Sequence, residues 1–256
     1  MLNTKNATIQ KLKSQITGKK KLSLLIAIIC MYQTSMSQLL TQKADFIEPR
    51  LGPISFTLNS EVYSGTGFNS TFSMNNLMYK YQISTDTWLQ LNNFPTILSN
   101  GISMVINDTA YAGFGYDGVG VSGWYQYNAG TDTWVVKNSA SNAGLLSGTF
   151  VLNGKGYAAC GNRVASGDQN ELWEYDPNID TWTQKTSFPG AARNAAFADT
   201  VGGFAYVGLG EDINLSIAYA DMYKYDPVLD VWTSIAPIPN SSTGVIAQGG
   251  CNFHAS

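Results

Sequence analysis

A chain of 256 residues that is 44% hydrophobic and only 13% charged is globular in composition and long enough to bury a sizeable core. With 15 basic residues against 18 acidic ones, a net of −3, it lacks the basic footprint of a nucleic-acid-binding protein. Its 25 glycines and 12% aromatics, set among many Asn, Ser and Thr, favour short strands joined by turns over long helices.

The first element in chain order is residues 1–37. Lys5, Lys11, Lys13, Lys19, Lys20 and Lys21 precede the apolar run LSLLIAIICMY, and the small residues Ser35 and Ser37 follow. A basic lead, a short apolar run and small residues make a secretory signal peptide cleaved near Ser37-Gln38, and the run is too short to cross a bilayer of ~30 Å as a helix. The mature chain, residues 38–256, is therefore expected to be secreted or in the cell envelope, without stable membrane insertion. Cleavage leaves 9 Lys and Arg against 18 Asp and Glu, a net of −9, which argues further against nucleic acid. Only Cys160 and Cys251 remain, too few for a disulfide scaffold, and they fall about two repeats apart.

Beyond the signal the chain repeats itself. LMYKYQISTDTW (residues 77–88), GWYQYNAGTDTW (123–134), ELWEYDPNIDTW (171–182) and DMYKYDPVLDVW (221–232) are one segment written four times, with Trp88, Trp134, Trp182 and Trp232 at intervals of 46, 48 and 50. VYSGTG, AYAGFG, GYAACG and AYVGLG run in step and end at Gly67, Gly115, Gly161 and Gly210, at intervals of 48, 46 and 49. Two independent markers at one period define a structural unit. Each unit opens with an apolar stretch (ISFTLN, ISMVIN, GTFVLN, AAFADT), turns tightly, as at Asn153-Gly154, and returns through the Tyr and Gly marker as a hairpin. After a loop of variable length comes a strand with aromatics two apart, hence on one face, and then the short Trp strand. Each unit is thus a four-stranded antiparallel sheet of ~48 residues, a propeller blade. The blades span approximately 51–91, 101–138, 146–187 and 194–236. LTQKADF (40–46) matches WTQKTSF (182–188) and is expected to form the outer strand of a further blade, while residues 244–256 start a partial fifth.

The Gly-x-Gly closing the second strand, the aromatic pair of the third and the Trp of the fourth resemble the kelch-repeat family over nearly all of residues 40–256. Neither the Gly-His nor the terminal Trp-Asp of WD40 repeats is present. Phrases such as LLTQKADF, WEYDPNIDTWTQKTSFPG and GKGYAACG are similar to exported bacterial kelch propellers related to the galactose oxidase central domain. The resemblance implies an all-β kelch-type β-propeller of about four complete blades plus partial blades at both ends. Rings of this family commonly hold more blades than that, so a truncated ring is expected.

Several motifs read as architecture. Gly113, Gly115 and Gly118 spell G-x-G-x-x-G, but YDGVGVSG cannot begin the helix on which a dinucleotide site depends. Asp86, Asp132, Asp180 and Asp230 each stand two residues before a Trp, one per blade; glycosidase chemistry needs two carboxyls facing across one substrate, so these are expected to accept backbone N–H bonds instead. A Ser-His-Asp triad is nearly excluded because His254 is the lone histidine, and galactose oxidase copper chemistry fails for the same reason. Cys160 stands at a marker position and is expected to be buried and inert. No catalytic residue, metal or cofactor is assigned.

Function is sought where copies differ. The loops between the second and third strands (68–76, 116–122, 162–170, 211–220) and those between blades (92–100, 139–145, 188–193, 237–243) emerge on one face of the ring. Phe68, Tyr116, Asp117, Arg163, Asp168, Glu211, Asp212 and Tyr219 are the residues there able to make directional contacts with a protein or glycan ligand. The leading expectation is a non-enzymatic binding module. The alternatives are a carbohydrate-active enzyme of the sialic acid type, with Arg163 acting beside Asp168 or Glu211, and a propeller stabilised by calcium at GEDIN (210–214).

Overall fold

A computed structural model describes residues 41–120, 123–139, 144–212 and 214–237. The expected signal peptide, Cys251, His254 and the expected fifth blade lie outside these residues. The chain divides into two units, Met1–Ala44 and Asp45–Ser256. Of the first, residues 41–44 are described; no strand is assigned at 41–46, where the sequence leads one to expect an outer strand over 40–46. A strand exists only with a hydrogen-bonded neighbour, and the four sheets below supply their own four strands each.

Sheet one consists of β1 (Ile54–Leu58), β2 (Glu61–Gly65), β3 (Met78–Gln82) and β4 (Thr87–Gln90). Sheet two holds β5 (Ile102–Ile106), β6 (Thr109–Gly113), β7 (Trp124–Asn128) and β8 (Thr133–Lys137). In sheet three, β9 (Gly148–Leu152) and β10 (Lys155–Ala159) are separated by the ribbon β11 (Asn162–Arg163) and β12 (Gly167–Asp168) from β13 (Leu172–Asp176) and β14 (Thr181–Lys185). Sheet four follows the same plan: β15 (Phe197–Val201), β16 (Phe204–Gly208), the ribbon β17 (Glu211–Asp212) and β18 (Ile217–Ala218), then β19 (Met222–Asp226) and β20 (Val231–Ile235). Each sheet is an antiparallel meander in chain order. The two ribbons are the departure from the sequence expectation, which gives plain loops at 162–170 and 211–220.

Local sequence explains the hairpins. The inner turns are Asn59-Ser60, Asn107-Asp108, Asn153-Gly154 and Gly202-Gly203, and all eight residues have positive φ. That is the type I′ geometry whose twist matches the flanking strands, and Asn, Asp and Gly are the residues that tolerate it.

The inner strands lie side by side in the order β1, β5, β9, β15, and the core sits between sheets. Ile54, Phe56, Leu58 and Tyr63 of sheet one pack on Ala110, Ala112 and Tyr127 of sheet two. Ile102, Met104, Ile106 and Tyr111 meet Ala158 and Tyr175 of sheet three, and Phe150, Leu152 and Tyr157 meet Ala198, Ala205, Val207 and Tyr225 of sheet four. Large residues on one sheet's trailing face thus meet small ones on the next sheet's leading face, which lets the sheets close to interior density. Four sheets packed face on face around their inner strands form a β-propeller, open among the described residues.

A phenylalanine in the lead-in covers the outer aromatics of three of the four sheets. Phe94 packs edge-on against Tyr125 and Trp134, Phe188 against Tyr223 and Trp232, and Phe46 against Tyr79 and Trp88. The link from sheet two to sheet three, residues 139–145, carries no aromatic. There Phe114 and Trp124 meet Trp182 instead, with centroids at 5.3 and 5.4 Å.

The recurring aspartates join sheets. Tyr127, Tyr175 and Tyr225 donate to Asp132, Asp180 and Asp230 at 2.9, 2.8 and 2.7 Å, and Tyr81 donates to Asp86. The second function of the carboxylate is to accept a backbone N–H from the exit of the preceding sheet: Asn92 to Asp132 at 2.8 Å, Asn138 to Asp180 at 3.1 Å and Thr186 to Asp230 at 3.1 Å. Backbone N–H bonds are what the sequence leads one to expect. Their origin in the neighbouring sheet is what one repeat, read alone, does not contain.

Candidate functional site

At the loop end of the propeller, the backbone around the four marker glycines forms a fixed frame. The residues preceding them, Thr66, Phe114, Cys160 and Leu209, have φ of 52–62°. A Cβ on Gly210 (φ +82°) would lie 2.5 Å from the carbonyl oxygen of Asn194, so glycine is required there by conformation and by space. Strand register also corrects one assignment: Ala159 takes the place of Gly65, Gly113 and Gly208, and Cys160 that of Thr66, Phe114 and Leu209. Cys160 is buried, as expected, and burial pushes its thiol up to about 12.

A hydrogen-bond chain links sheet to sheet just below this frame. Asn100 N donates to Gly52 O at 2.8 Å, Leu146 N to Asn100 O at 3.1 Å and Ala195 N to Leu146 O at 2.9 Å. All four residues have positive φ. The residues immediately before them, Leu51, Ser99, Leu145 and Asn194, bridge to Phe68, Tyr116, Asn162 and Glu211. Phe68, Tyr116 and Glu211 therefore occupy equivalent places, one per sheet, with Asn162 as the fourth. Asp117, Arg163 and Asp212 follow them and form a second tier with Asn69.

All eight candidate side chains are half-buried, but they are differently engaged. Asp117 accepts from Val119 N and Gly120 N at 2.9 and 2.8 Å, and these bonds, Gly120 first, hold its carboxyl below the usual range. Asp212 closes a similar turn through Asn214 N and Leu215 N. Among the described residues no group of three His, Cys, Asp or Glu is gathered as a metal site would need. Arg163 pairs with Glu171, which also accepts the indole N–H of Trp173 at 2.9 Å. Tyr219 stacks on Arg193, its ring centroid 4.0 Å from the guanidinium carbon. Arg193 is fully buried and held by Asp221 at 2.6 and 3.0 Å, so Tyr219 belongs to a packing motif.

Asp168 is the candidate with unmet hydrogen-bonding capacity, at a buried oxygen. Its Oδ1 accepts from the side-chain amides of Asn162 at 2.7 Å and Asn194 at 3.0 Å, while Oδ2 has no protein partner. Asn194 in turn bridges to Glu211, so the junction of sheets three and four brings Asp168, Asn162, Asn194 and Glu211 together. Asn162, Glu171, Arg193, Asn194 and Asp221 were not singled out from the sequence. The place of Asn162, directly after a marker glycine, was the available signal; the others require knowledge of which loops pack together. Chemically the cluster is rich in acceptors, with the Phe68 and Tyr116 rings at equivalent places on sheets one and two. Such a surface suits a partner that presents hydroxyl or amide donors and apolar faces.

No protein-family model matches the chain, and no curated protein matches it. Among solved structures it resembles that of YjhT, with a TM-score of 0.65 and 20% identity over 78% of this chain and 68% of that one. At that identity the likeness shows the fold, a β-propeller, and nothing of the ligand.

Proposed function

We propose that the chain is an exported kelch-type binding module, related to the galactose oxidase central domain, whose loop end recognises a protein or glycan. The observation that carries this reading is the contrast at the loop end: four equivalent positions on a repeated backbone frame bear Phe68, Tyr116, Asn162 and Glu211. Repetition there serves the frame, and divergence serves recognition. Behind these positions Asp168, its Oδ2 buried without a protein partner, fixes the side-chain amides of Asn162 and Asn194.

A glycan array and a pull-down from the extracytoplasmic fraction test it together. The reading expects one saturable ligand whose binding falls at least about tenfold in Tyr116→Ala and Asp168→Ala, the loss of a well-placed contact, with unchanged circular dichroism. Binding that both variants leave intact would move the site off the loop end, and glycan turnover lost in Arg163→Ala would favour an enzyme. Export is checked separately, by sequencing the N-terminus of the protein recovered outside the cytoplasm, which is expected to begin at Gln38.

A further inference from the structure

The propeller carries a second cleft, away from the loop-end cluster. It has a volume of about 640 Å³ and lies between residues 45–50 and the leading face of sheet one, against which no other described sheet packs. Its walls include Phe46, Ile47, Pro53, Val62 and Trp88. Arg50 also lines it; its side chain is 3% exposed, and its buried Nε and Nη1 have no hydrogen-bond partner. Glu48 occupies Nη2.

Sheet four shows what these nitrogens lack. Arg193 precedes the bridge residue Asn194 as Arg50 precedes Leu51, so the two arginines are equivalent. Arg193 Nε donates to Ala191 O at 2.9 Å, Nη1 to Leu209 O at 2.9 Å, and Asp221 takes the remaining edge. The position equivalent to Asp221, directly before β3, is Leu77 in sheet one. With no carboxylate there, Arg50 turns to Glu48. Two buried guanidinium donors are left, a costly state for a buried charged group.

We propose that this cleft binds a neutral, extended peptide segment with apolar side chains, its backbone carbonyls accepting from Arg50. Charge separates this from an anion site: Glu48 and Asp45 outnumber Arg50 in the lining, so an incoming carboxylate meets net repulsion. Geometry argues the same way, because Nε and Nη1 do not lie on one edge of the guanidinium once Nη2 is taken, and a single carboxylate cannot serve both. Two separate carbonyls can, as Ala191 and Leu209 do for Arg193. The strap at residues 45–50 forms no strand, and Ile47 is 57% exposed, so it can yield to admit the peptide.

The test is a titration of the full mature chain with the capped tripeptide acetyl-Val-Ala-Val-amide, followed by NMR at the Arg50 Nε–H and the Trp88 indole. Saturable shifts at both are expected, weakened at least about tenfold in Arg50→Met, as for the loss of hydrogen bonds to a charged group, with its melting temperature unchanged or raised because the orphaned donors are gone. Val62→Glu, at a partly exposed position, is expected to weaken the peptide similarly without touching Arg50. Acetate producing the same shifts would overturn the proposal in favour of an anion site. Peptide shifts absent at millimolar concentration, or insensitive to both variants, would overturn it outright. Loop-end binding is read on Tyr116, so failure of either site leaves the other standing.

Discussion

Asp180 holds three parts of the molecule at once: the phenol of Tyr175 in its own sheet, the backbone N–H of Asn138 at the exit of sheet two, and Lys137 at 3.4 Å. Asp180→Ala therefore orphans a buried phenol and an inter-sheet N–H together. Hydrogen bonds to charged groups contribute ~1.5–3 kcal/mol each, so a loss of about 2–3 kcal/mol in urea unfolding is expected; a loss under about 0.5 kcal/mol, typical of a solvated surface residue, would show that the aspartate is ornamental. The same latches predict an alkaline limit. Burial first, and then the bond to aspartate, raises Tyr127, Tyr175 and Tyr225 well above the ordinary phenol value, and Tyr81 is pushed up to about 12, chiefly by its bond to Asp86. A group whose pKa is raised on folding contributes fully below its unfolded value, here about 10, and loses that contribution as pH climbs through the folded value. Unfolding free energy should begin to fall at about pH 9, where the Cys160 thiol, pushed up to about 12 by burial, starts to titrate in the unfolded chain, and should fall more steeply between about pH 10 and 12 as the latches add to it. Equal stability at either end of that window would contradict the latches.

Between residue and molecule lies the junction of two sheets, where one substitution tests how the missing linker aromatic is replaced. Phe114 is fully buried against Trp124 and Trp182, so Phe114→Ala should cost about 3–5 kcal/mol and alter the near-ultraviolet dichroism of the two tryptophans. Leu209 occupies the equivalent place in sheet four, where Phe188 already covers Trp232, so Leu209→Ala should cost less than about 2 kcal/mol. Equal costs would remove the idea of compensation. This level also shows what was legible beforehand. The Trp and Gly periods revealed the sheets because every repeat must close the same hairpins, and Asn153-Gly154 declared its turn because few residues adopt positive φ cheaply. The latch partners were not legible, since Asn92, Asn138 and Thr186 are tied to aspartates about forty residues onward by packing between sheets. Nor was the cluster at Asp168: Asn162 and Asn194 meet there because the ribbon after β10 packs against the lead-in to β15, and only Asn162, directly after Gly161, stands beside a repeated mark. Arg50 was hidden for a related reason, as its two unpartnered nitrogens stand out only beside Arg193.

Across the whole molecule, stability should follow position in the row of sheets. Among the described residues, sheets two and three are covered on both faces, whereas sheet one has its leading face and sheet four its trailing face without a sheet against it. The difference is visible in the residues: Phe56, Met104 and Phe150 are buried on the trailing faces of sheets one to three, while sheet four has Asp199, exposed, in their register position. Val201 beside it is 64% exposed. In a structure whose units touch only their neighbours, stability is approximately a sum of unit and junction contributions, and a unit with one junction opens more readily than a unit with two. Amide hydrogen exchange under native conditions should therefore rank the inner hairpins. The β5–β6 and β9–β10 hairpins should exchange through global unfolding, and β15–β16 at least about tenfold faster, since one lost junction contributes more than the ~1.4 kcal/mol that a factor of ten represents. A ligand in the Arg50 cleft would slow exchange in β1–β2 selectively, leaving β15–β16 fast. Uniform protection across all four sheets would instead mean that the open faces are covered in solution.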